Sequence, residues 1–227
     1  MVVIACYNNI EIIDTMLSSL VSTSNLDEDV LIICTDYKQI SMVEHLKSLN
    51  KYGDYFNLIT DVTPYSGYDT GAFIWAYKNY KSDYYIFLQE SLIVNKNNWF
   101  EVFKSYRDSE TLNTWCTFTM GWDNEEQKNN ILSKINDNNY DLNGLPLGVF
   151  GNMFQISYDS LKKIDEKYNL NNFIPTNKVL GSCGMERGWS YLAMNCGLKI
   201  NNVDGFCSRN ENSYIDKLFL KKFHNRY

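Results

Sequence analysis

The chain has 227 residues, of which 44% are hydrophobic and 15% are aromatic. It can therefore bury a sizeable core, as one large domain or two joined lobes, and this composition excludes a disordered or fibrous protein. A net charge of -6 and a pI near 5.0 argue against a general nucleic-acid binder, because phosphate contacts need a basic surface.

Cysteine usage and hydropathy indicate a compartment. The six cysteines form no Cys-x-x-Cys pair and only two histidines, His45 and His224, are present, so we expect buried free thiols rather than disulfides or zinc ligands. The chain opens directly on the strand-like "MVVIACY", and no stretch approaches the roughly 18 apolar residues of a membrane span. The sequence predicts a soluble cytoplasmic protein without a membrane span.

The first part of the chain alternates two hydrophobic periods. Short apolar runs predict strands and helical spacing predicts the segments between them. The strands are predicted at residues 2–6, 29–36, 55–62 and 83–94, and the helices at 8–24, 37–50 and 70–80. Such alternation predicts βαβ units and a mostly parallel sheet.

The second part has a different texture. Strands are predicted at 114–122 and 149–157, a helix and a loop within 123–144, and helices at 158–170, 184–197 and 213–224. Because no Pro/Gly/Ser linker and no internal repeat separates the parts, we expect one continuous domain.

The stretch "YYIFLQESLIV", residues 84–94, marks a candidate site. Its apolar run breaks at Gln89, Glu90 and Ser91, where a parallel strand would expose functional groups at its carboxyl end. The alternative is a strand that simply leaves the core. "ACYNNIE" follows the first strand instead of GxxxxGK[ST] or GxGxxG, which argues against the common ATPases and dinucleotide enzymes.

Several motifs occur in the order expected of one enzyme family. They are "VVIACYNN", "LIICTD", "GYDTGAFIWAYKNYKSDYYIFLQES", "PLGVFGNMFQISYDSLKKI" and "GMERGWSYLAMNCGLKI". Together they resemble the nucleotide-sugar-dependent glycosyltransferases of the GT-A fold. The resemblance implies a Rossmann-like α/β fold with a mostly parallel central sheet, flanking helices and a mixed acceptor-side region. Residues 1–95 would bind the donor, and residues 96–227 would bind the acceptor and carry catalysis.

The resemblance also implies donor-binding residues. Asp36 would accept hydrogen bonds from the nucleotide base, the backbone from Ala5 to Tyr7 would flank that base, and the Tyr7 ring would stack on it. Asp69 would face the ribose or sugar, and Gly71 would let the ligand approach the backbone. Asp36 and Asp69 are alternatively helix caps.

The family's Asp-x-Asp triplet, which holds Mg²⁺ or Mn²⁺, falls here on Gln89, Glu90 and Ser91. This degenerate motif leaves two possibilities open. Either Glu90 and a second group such as His224 hold a divalent cation, or the enzyme works without one. In the second case basic side chains would balance the diphosphate charge, the candidates being Lys221, Lys222 and Arg226.

Glu186 matches the position of an acidic catalytic residue in the first turn of a helix. In an inverting transfer it would take the proton of the acceptor hydroxyl; otherwise it is a first-turn glutamate paired with Arg187 or solvent, and in a retaining enzyme it would orient the acceptor. Trp122 and Asp123 are candidates for an acceptor sugar subsite, although most aromatic residues of this part are expected in the core.

The implied partners are a nucleoside diphosphate sugar and a glycan or other hydroxyl acceptor. Two further function classes stay open: a catalytically inactive nucleotide- or sugar-binding module of the same fold, and a sugar-phosphate nucleotidyltransferase. The latter usually carries a Gly-rich basic loop after its first strand, where this chain has "ACYNN".

Overall fold

A computed structural model gives the fold of the chain. It describes residues 1–7, 10–65, 68–94, 97–115, 117–119, 122–135, 147–176, 183–203 and 220–222, and the structural statements below concern these residues. The strands are β1 (Val2–Cys6), β2 (Val30–Cys34), β3 (Leu58–Val62), β4 (Tyr84–Gln89), β5 (Leu92–Val94), β6 (Thr111–Thr114), β7 (Thr117–Thr119), β8 (Leu147–Val149), β9 (Phe154–Ser157), β10 (Lys199–Asn202) and β11 (Leu220–Lys222).

Helices follow most of the strands of the first part. They are α1 (Ile10–Thr23), α2 (Tyr37–Ser48), α3 (Tyr68–Asn79), α4 (Trp99–Ser105), α5 (Glu125–Ile135), α6 (Tyr158–Tyr168) and α7 (Gly184–Asn195), with 3₁₀ turns at Phe150–Asn152 and Leu170–Phe173. The chain is thus a mixed α/β protein.

Seven strands form the central sheet in the order β10-β6-β9-β4-β1-β2-β3. Neighbouring strands are parallel except β9, which is antiparallel to both β4 and β6. The two small sheets pair β5 with β11 and β7 with β8. This mostly parallel sheet, flanked by helices, confirms the predicted GT-A fold class.

Each face of the central sheet covers an apolar core. Val3, Ala5 and Phe87 lie in the core that α3, α5, α6 and α7 cover, whereas Val2 and Ile86 lie in the core of α1, α2 and α4. Because alternate residues of a strand point to opposite faces, strands covered on both faces are apolar throughout, as in "VVIAC" and "VLIIC".

Several predicted boundaries were wrong. The strand predicted at 83–94 splits at Glu90 and Ser91, and β5 leaves the central sheet. The strand predicted at 114–122 contains the last residue of β6 and the whole of β7, while α4 was not predicted. Residues 220–222, predicted to belong to a helix over 213–224, form strand β11, because their backbone pairs with β5. The other residues of that helix lie outside the described part.

Three broader expectations concern the whole chain. In the described part no helix has the length and apolarity that crossing a bilayer requires. Four cysteines are described and all four are free thiols: Cys6, Cys34, Cys183 and Cys196. Strands from both sides of residue 95 lie next to each other in the central sheet, since β4 pairs with β9. The division of roles at residue 95 stays a prediction.

Candidate functional site

The carboxyl ends of β1 and β4 meet at the predicted site. Ala5 lies opposite Gln89 in the parallel register, and the Glu90 amide donates to the Ala5 carbonyl oxygen at 3.3 Å. Ala5 is fully buried, so its backbone is the part that contributes here. Because Gln89 is two residues beyond Phe87, strand alternation places both side chains on the face that α3 covers.

Gln89 and Asp69 form a buried pair between this strand end and helix α3. The Gln89 side-chain amide Nε2 donates to Asp69 Oδ2, and Asp69 Oδ1 accepts a hydrogen bond from the Thr70 backbone N–H at 3.0 Å. Asp69 is 2% exposed and Gln89 4%. A carboxylate accepts only, so the amide must turn its nitrogen toward Asp69. Asp69 at the start of α3 and Gln89 at the end of β4, two residues predicted from separate motifs, are therefore in direct contact.

Glu186 lies in the first turn of α7 and is held from the other side of the site. Its Oε1 accepts a hydrogen bond from the Gly151 backbone N–H at 2.9 Å, and its side chain is 17% exposed. Gly151 has a φ of +64°, and a Cβ at this position would lie 3.3 Å from Gln89 Oε1. Gly151 thus lies between Glu186 and Gln89, close to both the start of helix α7 and the end of strand β4.

Arg187 contacts both Glu186 and Asp123. Its Nη2 donates to Asp123 Oδ1 at 3.0 Å, its Nη1 donates to the Cys183 carbonyl oxygen at 2.6 Å, and Nη1 lies 3.9 Å from Glu186 Oε2. The contact with Arg187 that the sequence offered as an alternative for Glu186 is therefore present, together with the Gly151 hydrogen bond. Arg187 is 1% exposed.

Trp122 and Asp123 lie beside this arginine. The Trp122 ring stacks on Tyr191 with centroids 6.0 Å apart and an interplanar angle of 18°. Trp122 is partly buried against the core, and Asp123 is exposed. An exposed carboxylate next to an aromatic plane can bind a sugar hydroxyl beside an apolar sugar face.

The electrostatics around Cys183 show how the carboxylates converge. Burial raises the pKa of the Cys183 thiol, and the negative charges of Glu186, Asp123 and Asp69 raise it further, in that order, while Arg187 opposes them. The charges of all three carboxylates therefore act on this one thiol. These three residues were proposed from separate motifs of the sequence, and the fold brings them around one place.

The candidate nucleotide-binding residues lie at neighbouring strand ends. Asp36 is exposed after β2 and caps α2, where its side chain accepts from the Lys38 N–H at 2.7 Å. Tyr7 follows β1 and contacts Tyr68, with ring centroids 5.6 Å apart. A Cβ on Gly71 would lie 3.2 Å from the Tyr65 Cβ, so the close approach at Gly71 is to Tyr65.

The remaining candidate residues were predicted to offset the negative charge of a donor diphosphate, directly or through a metal ion. Glu90 and Ser91 are fully buried. The backbone of β11 places Lys222 opposite Leu92, the residue after Ser91, and Lys221 opposite Ile93. His224 and Arg226 lie outside the described residues.

The described residues do not by themselves form a divalent-cation site of the Asp-x-Asp kind. The nitrogen of Gln89, rather than an oxygen ligand, faces Asp69, and Glu90 is the single carboxylate of the triplet. Within the ranges given above, no group of three His, Cys, Asp or Glu side chains could hold a metal ion. A cation held by Glu90 and His224 stays a prediction.

Comparison with solved structures places the fold among GT-A glycosyltransferases. No family model and no curated protein sequence matches the chain. It is similar to GalNAc-T7 with UDP, GalNAc and Mn²⁺, with a TM-score of 0.60, 13% identity, and coverage of 89% of this chain and 41% of that chain. It is also similar to S. aureus TarS 1-349, with a TM-score of 0.52, 14% identity, and coverage of 90% and 58%. The same TarS fragment in complex with UDP gives a TM-score of 0.50 at 13% identity.

These similarities show the fold and no more, because the identities are 13% and 14%. The chain also spans only 41% to 58% of the length of those solved chains. The function of this chain must therefore be argued from its own residues.

Sequence reasoning did not assign a role in the site to Gly151, Gln127 or Cys183. Gly151 stands inside the strand predicted at 149–157, and an isolated glycine in a strand pattern is a signal for a bulge or a close backbone approach. Nothing in the sequence marks Gln127, whose side-chain Nε2 donates to Asp123 Oδ2 at 3.0 Å in the fold. Cys183 directly precedes α7, and its carbonyl oxygen becomes significant only through Arg187.

Proposed function

We propose that the protein transfers a sugar from a nucleoside diphosphate sugar to a hydroxyl group of a glycan or related acceptor, with inversion at the anomeric carbon. The observation that supports this most is the close approach of two hydrogen-bonded pairs, Asp69 with Gln89 and Gly151 with Glu186, since a Cβ on Gly151 would lie 3.3 Å from Gln89 Oε1. This approach brings the carboxyl end of a parallel strand, where donor nucleotides bind in open α/β sheets, close to a partly exposed carboxylate.

In the proposed reaction the acceptor oxygen attacks the anomeric carbon and forms the new glycosidic bond. The bond between that carbon and the diphosphate oxygen breaks, and the nucleoside diphosphate leaves with the electron pair. Glu186 takes the proton of the attacking hydroxyl as general base. The Gly151 hydrogen bond to Oε1 orients the carboxylate for this step, and the N-terminal end of α7 favours its ionised form.

The donor residues keep the roles that the resemblance gave them. Asp36 would accept from the base, Tyr7 would stack on it, and the Ala5 backbone would lie at its edge. Asp69 would accept from a ribose or sugar hydroxyl, because its Oδ2 is already oriented by Gln89. The role predicted for Gly71, approach of the ligand to its backbone, stays a prediction, since the close approach seen at Gly71 is to Tyr65.

The leaving diphosphate needs positive charge, and two sources are proposed. Glu90 together with His224 would hold Mg²⁺ or Mn²⁺, which would supply that charge when bound. Alternatively basic residues would supply it, namely Lys221 and Lys222 in strand β11 and Arg226 further along the chain. Addition of Mn²⁺ or EDTA to a transfer assay separates the two.

A binding module without turnover is the second candidate. The observation that favours it is the Gln89 amide, which stands where the family has an acid and donates to Asp69. Such a module would bind a nucleotide sugar and release no nucleoside diphosphate, even with acceptors present.

The test is the release of nucleoside diphosphate from a panel of UDP-, GDP- and dTDP-sugars, with methyl glycosides as acceptors. Glu186→Gln should preserve donor binding and lower the transfer rate by about 10² or more. Glu126→Gln, an exposed glutamate on α5, is the matched control and should transfer at the wild-type rate. An unchanged rate in Glu186→Gln would remove Glu186 from the mechanism.

A further inference from the structure

Arg187 is a buried cation between two carboxylates of the candidate site. Its side chain is 1% exposed, whereas that of Asp123 is 41% exposed and that of Glu186 is 17% exposed. A guanidinium so deep in a protein requires charged or hydrogen-bonded partners. Arg187 finds them in Asp123 Oδ1 at 3.0 Å and the Cys183 carbonyl oxygen at 2.6 Å.

The second oxygen of Asp123 is also held. Gln127 Nε2 donates to Asp123 Oδ2 at 3.0 Å, and the Asp123 backbone N–H donates to Gln127 Oε1 at 3.0 Å. Gln127 is fully buried at the start of α5. The carboxylate of Asp123 is therefore fixed from below by two buried side chains, while its outer side remains exposed. Each carboxylate oxygen has two acceptor positions, so a fixed carboxylate can still accept hydrogen bonds from a ligand.

The surroundings of Asp123 suit an uncharged sugar. Trp122, its neighbour in sequence, stacks on Tyr191 and is partly exposed. Three carboxylates, of Glu186, Asp123 and Asp69, act on this end of the sheet against the one guanidinium of Arg187: with burial they raise the pKa of the Cys183 thiol, whereas Arg187 lowers it. A hydroxyl group donates to Asp123 in these surroundings, whereas a second carboxylate or a phosphate would be repelled.

We propose that Arg187 is a positioning residue that fixes Asp123 as a hydrogen-bond acceptor, and that this arrangement selects uncharged polyhydroxyl acceptors over anionic ones. The inference rests on the proposed function, because it concerns the acceptor side of the same site. Arg187 acts only through Asp123 and Glu186, and it touches neither substrate.

Two acceptor probes of the same shape test the charge selection. The preference is the ratio of kcat/KM for methyl β-D-glucoside to that for methyl β-D-glucuronide, with the best donor of the panel. Asp123→Asn removes a negative charge and should lower this ratio about tenfold, whereas Arg187→Met removes a positive charge and should raise it about tenfold. The donor KM should stay unchanged in Asp123→Asn.

Two further variants separate positioning from folding. Arg187→Lys keeps the charge but lacks the planar donor fork, so the preference should persist while the acceptor KM rises. Lys128→Met removes a partly exposed positive charge next to Gln127 on α5 and should change neither quantity. If Arg187→Met does not fold, the acceptor preferences of Asp123→Asn and Arg187→Lys still test the inference. If Arg187 were merely structural, its replacement would lower stability, and the acceptor preference would not shift in opposite directions in Asp123→Asn and Arg187→Met.

The results separate this inference from the proposed function. Suppose that the wild-type chain turns over. If the acceptor preference then shifts in the same direction in Asp123→Asn and Arg187→Met, or shifts in neither, the inference is overturned and the proposed transfer is not. Failure of the wild-type chain to release nucleoside diphosphate from any donor would overturn the proposed transfer. In that case the role of Asp123 is tested by binding: the shift in Tm that each glycoside causes is measured for the wild-type and Asp123→Asn chains. Stabilisation by the glucoside alone, lost in Asp123→Asn, supports the inference, and equal stabilisation by both glycosides overturns it.

Discussion

Replacement of Gly151 by alanine tests whether this residue links Glu186 to the donor side. Gly151 has a φ of +64°, and a Cβ would lie 3.0 Å from Met153 Cε and 3.3 Å from Gln89 Oε1. The left-handed conformation costs roughly 1–2 kcal/mol for alanine. The close contacts add to this, and they are relieved by movement of Gln89 or of the turn that carries the Gly151 N–H.

Gly197 provides the matched control for this prediction. It also has a positive φ, +77°, but the nearest atom that its Cβ would meet is Lys163 Nζ at 4.0 Å. Gly197 follows the carboxyl end of α7, the same helix that carries Glu186 in its first turn. Gly197→Ala should therefore lower the free energy of unfolding by the conformational term alone, roughly 1–2 kcal/mol, and leave transfer unchanged.

The activities should differ more than the stabilities. A hydrogen bond to a charged group is worth about 1.5–3 kcal/mol, so loss of the Gly151 bond to Glu186 should lower kcat about tenfold or more. Urea denaturation measures the stability of both variants, and release of nucleoside diphosphate measures kcat. Equal kcat values in Gly151→Ala and Gly197→Ala would refute the link through Gly151.

Other predictions concern the buried pair and a buried tyrosine. Gln89→Glu places a carboxylate against Asp69 and should lower the free energy of unfolding at neutral pH by about 1–3 kcal/mol in urea denaturation, whereas Gln39→Glu, at a partly exposed position of α2, should not. Burial raises the pKa of Tyr85 from 10.0 to about 12, so its stabilising effect is complete below pH 10 and is lost as the pH rises through 12. Stability measured across this range should fall less steeply in Tyr85→Phe, and an exposed control, Tyr37→Phe, should follow the wild-type curve.

The fold class followed from the sequence because local patterns determine it. Continuous apolar strands such as "VLIIC", separated by helices of regular period, predict a parallel sheet whatever the details of packing. The predictions failed where pairing between distant strands, and not the local pattern, determines the secondary structure. Residues 220–222 have a helical pattern, yet they pair with β5. The polar residues Glu90 and Ser91 mark a break in the pattern of residues 84–94, but the break alone does not show that the chain changes sheets there.

The candidate site followed in part for a similar reason. Asp69 directly precedes a predicted helix, Glu186 lies in the first turn of another, and Gln89 begins the polar break within a predicted strand, so these positions were visible in the sequence. Their contacts were not, because Gly151 and Arg187 join residues that are distant along the chain. Hydrogen bonds between such distant residues depend on tertiary packing, which a single sequence does not specify.

A crystal structure with a bound donor tests the central proposal most directly. Crystals soaked with UDP-, GDP- and dTDP-sugars should show, for at least one of them, the nucleotide across the carboxyl ends of β1 and β4. Its anomeric carbon should lie between the Asp69–Gln89 pair and the Glu186 carboxylate. A donor bound elsewhere, or protein atoms filling that position in every soaked crystal, would contradict the proposed transfer.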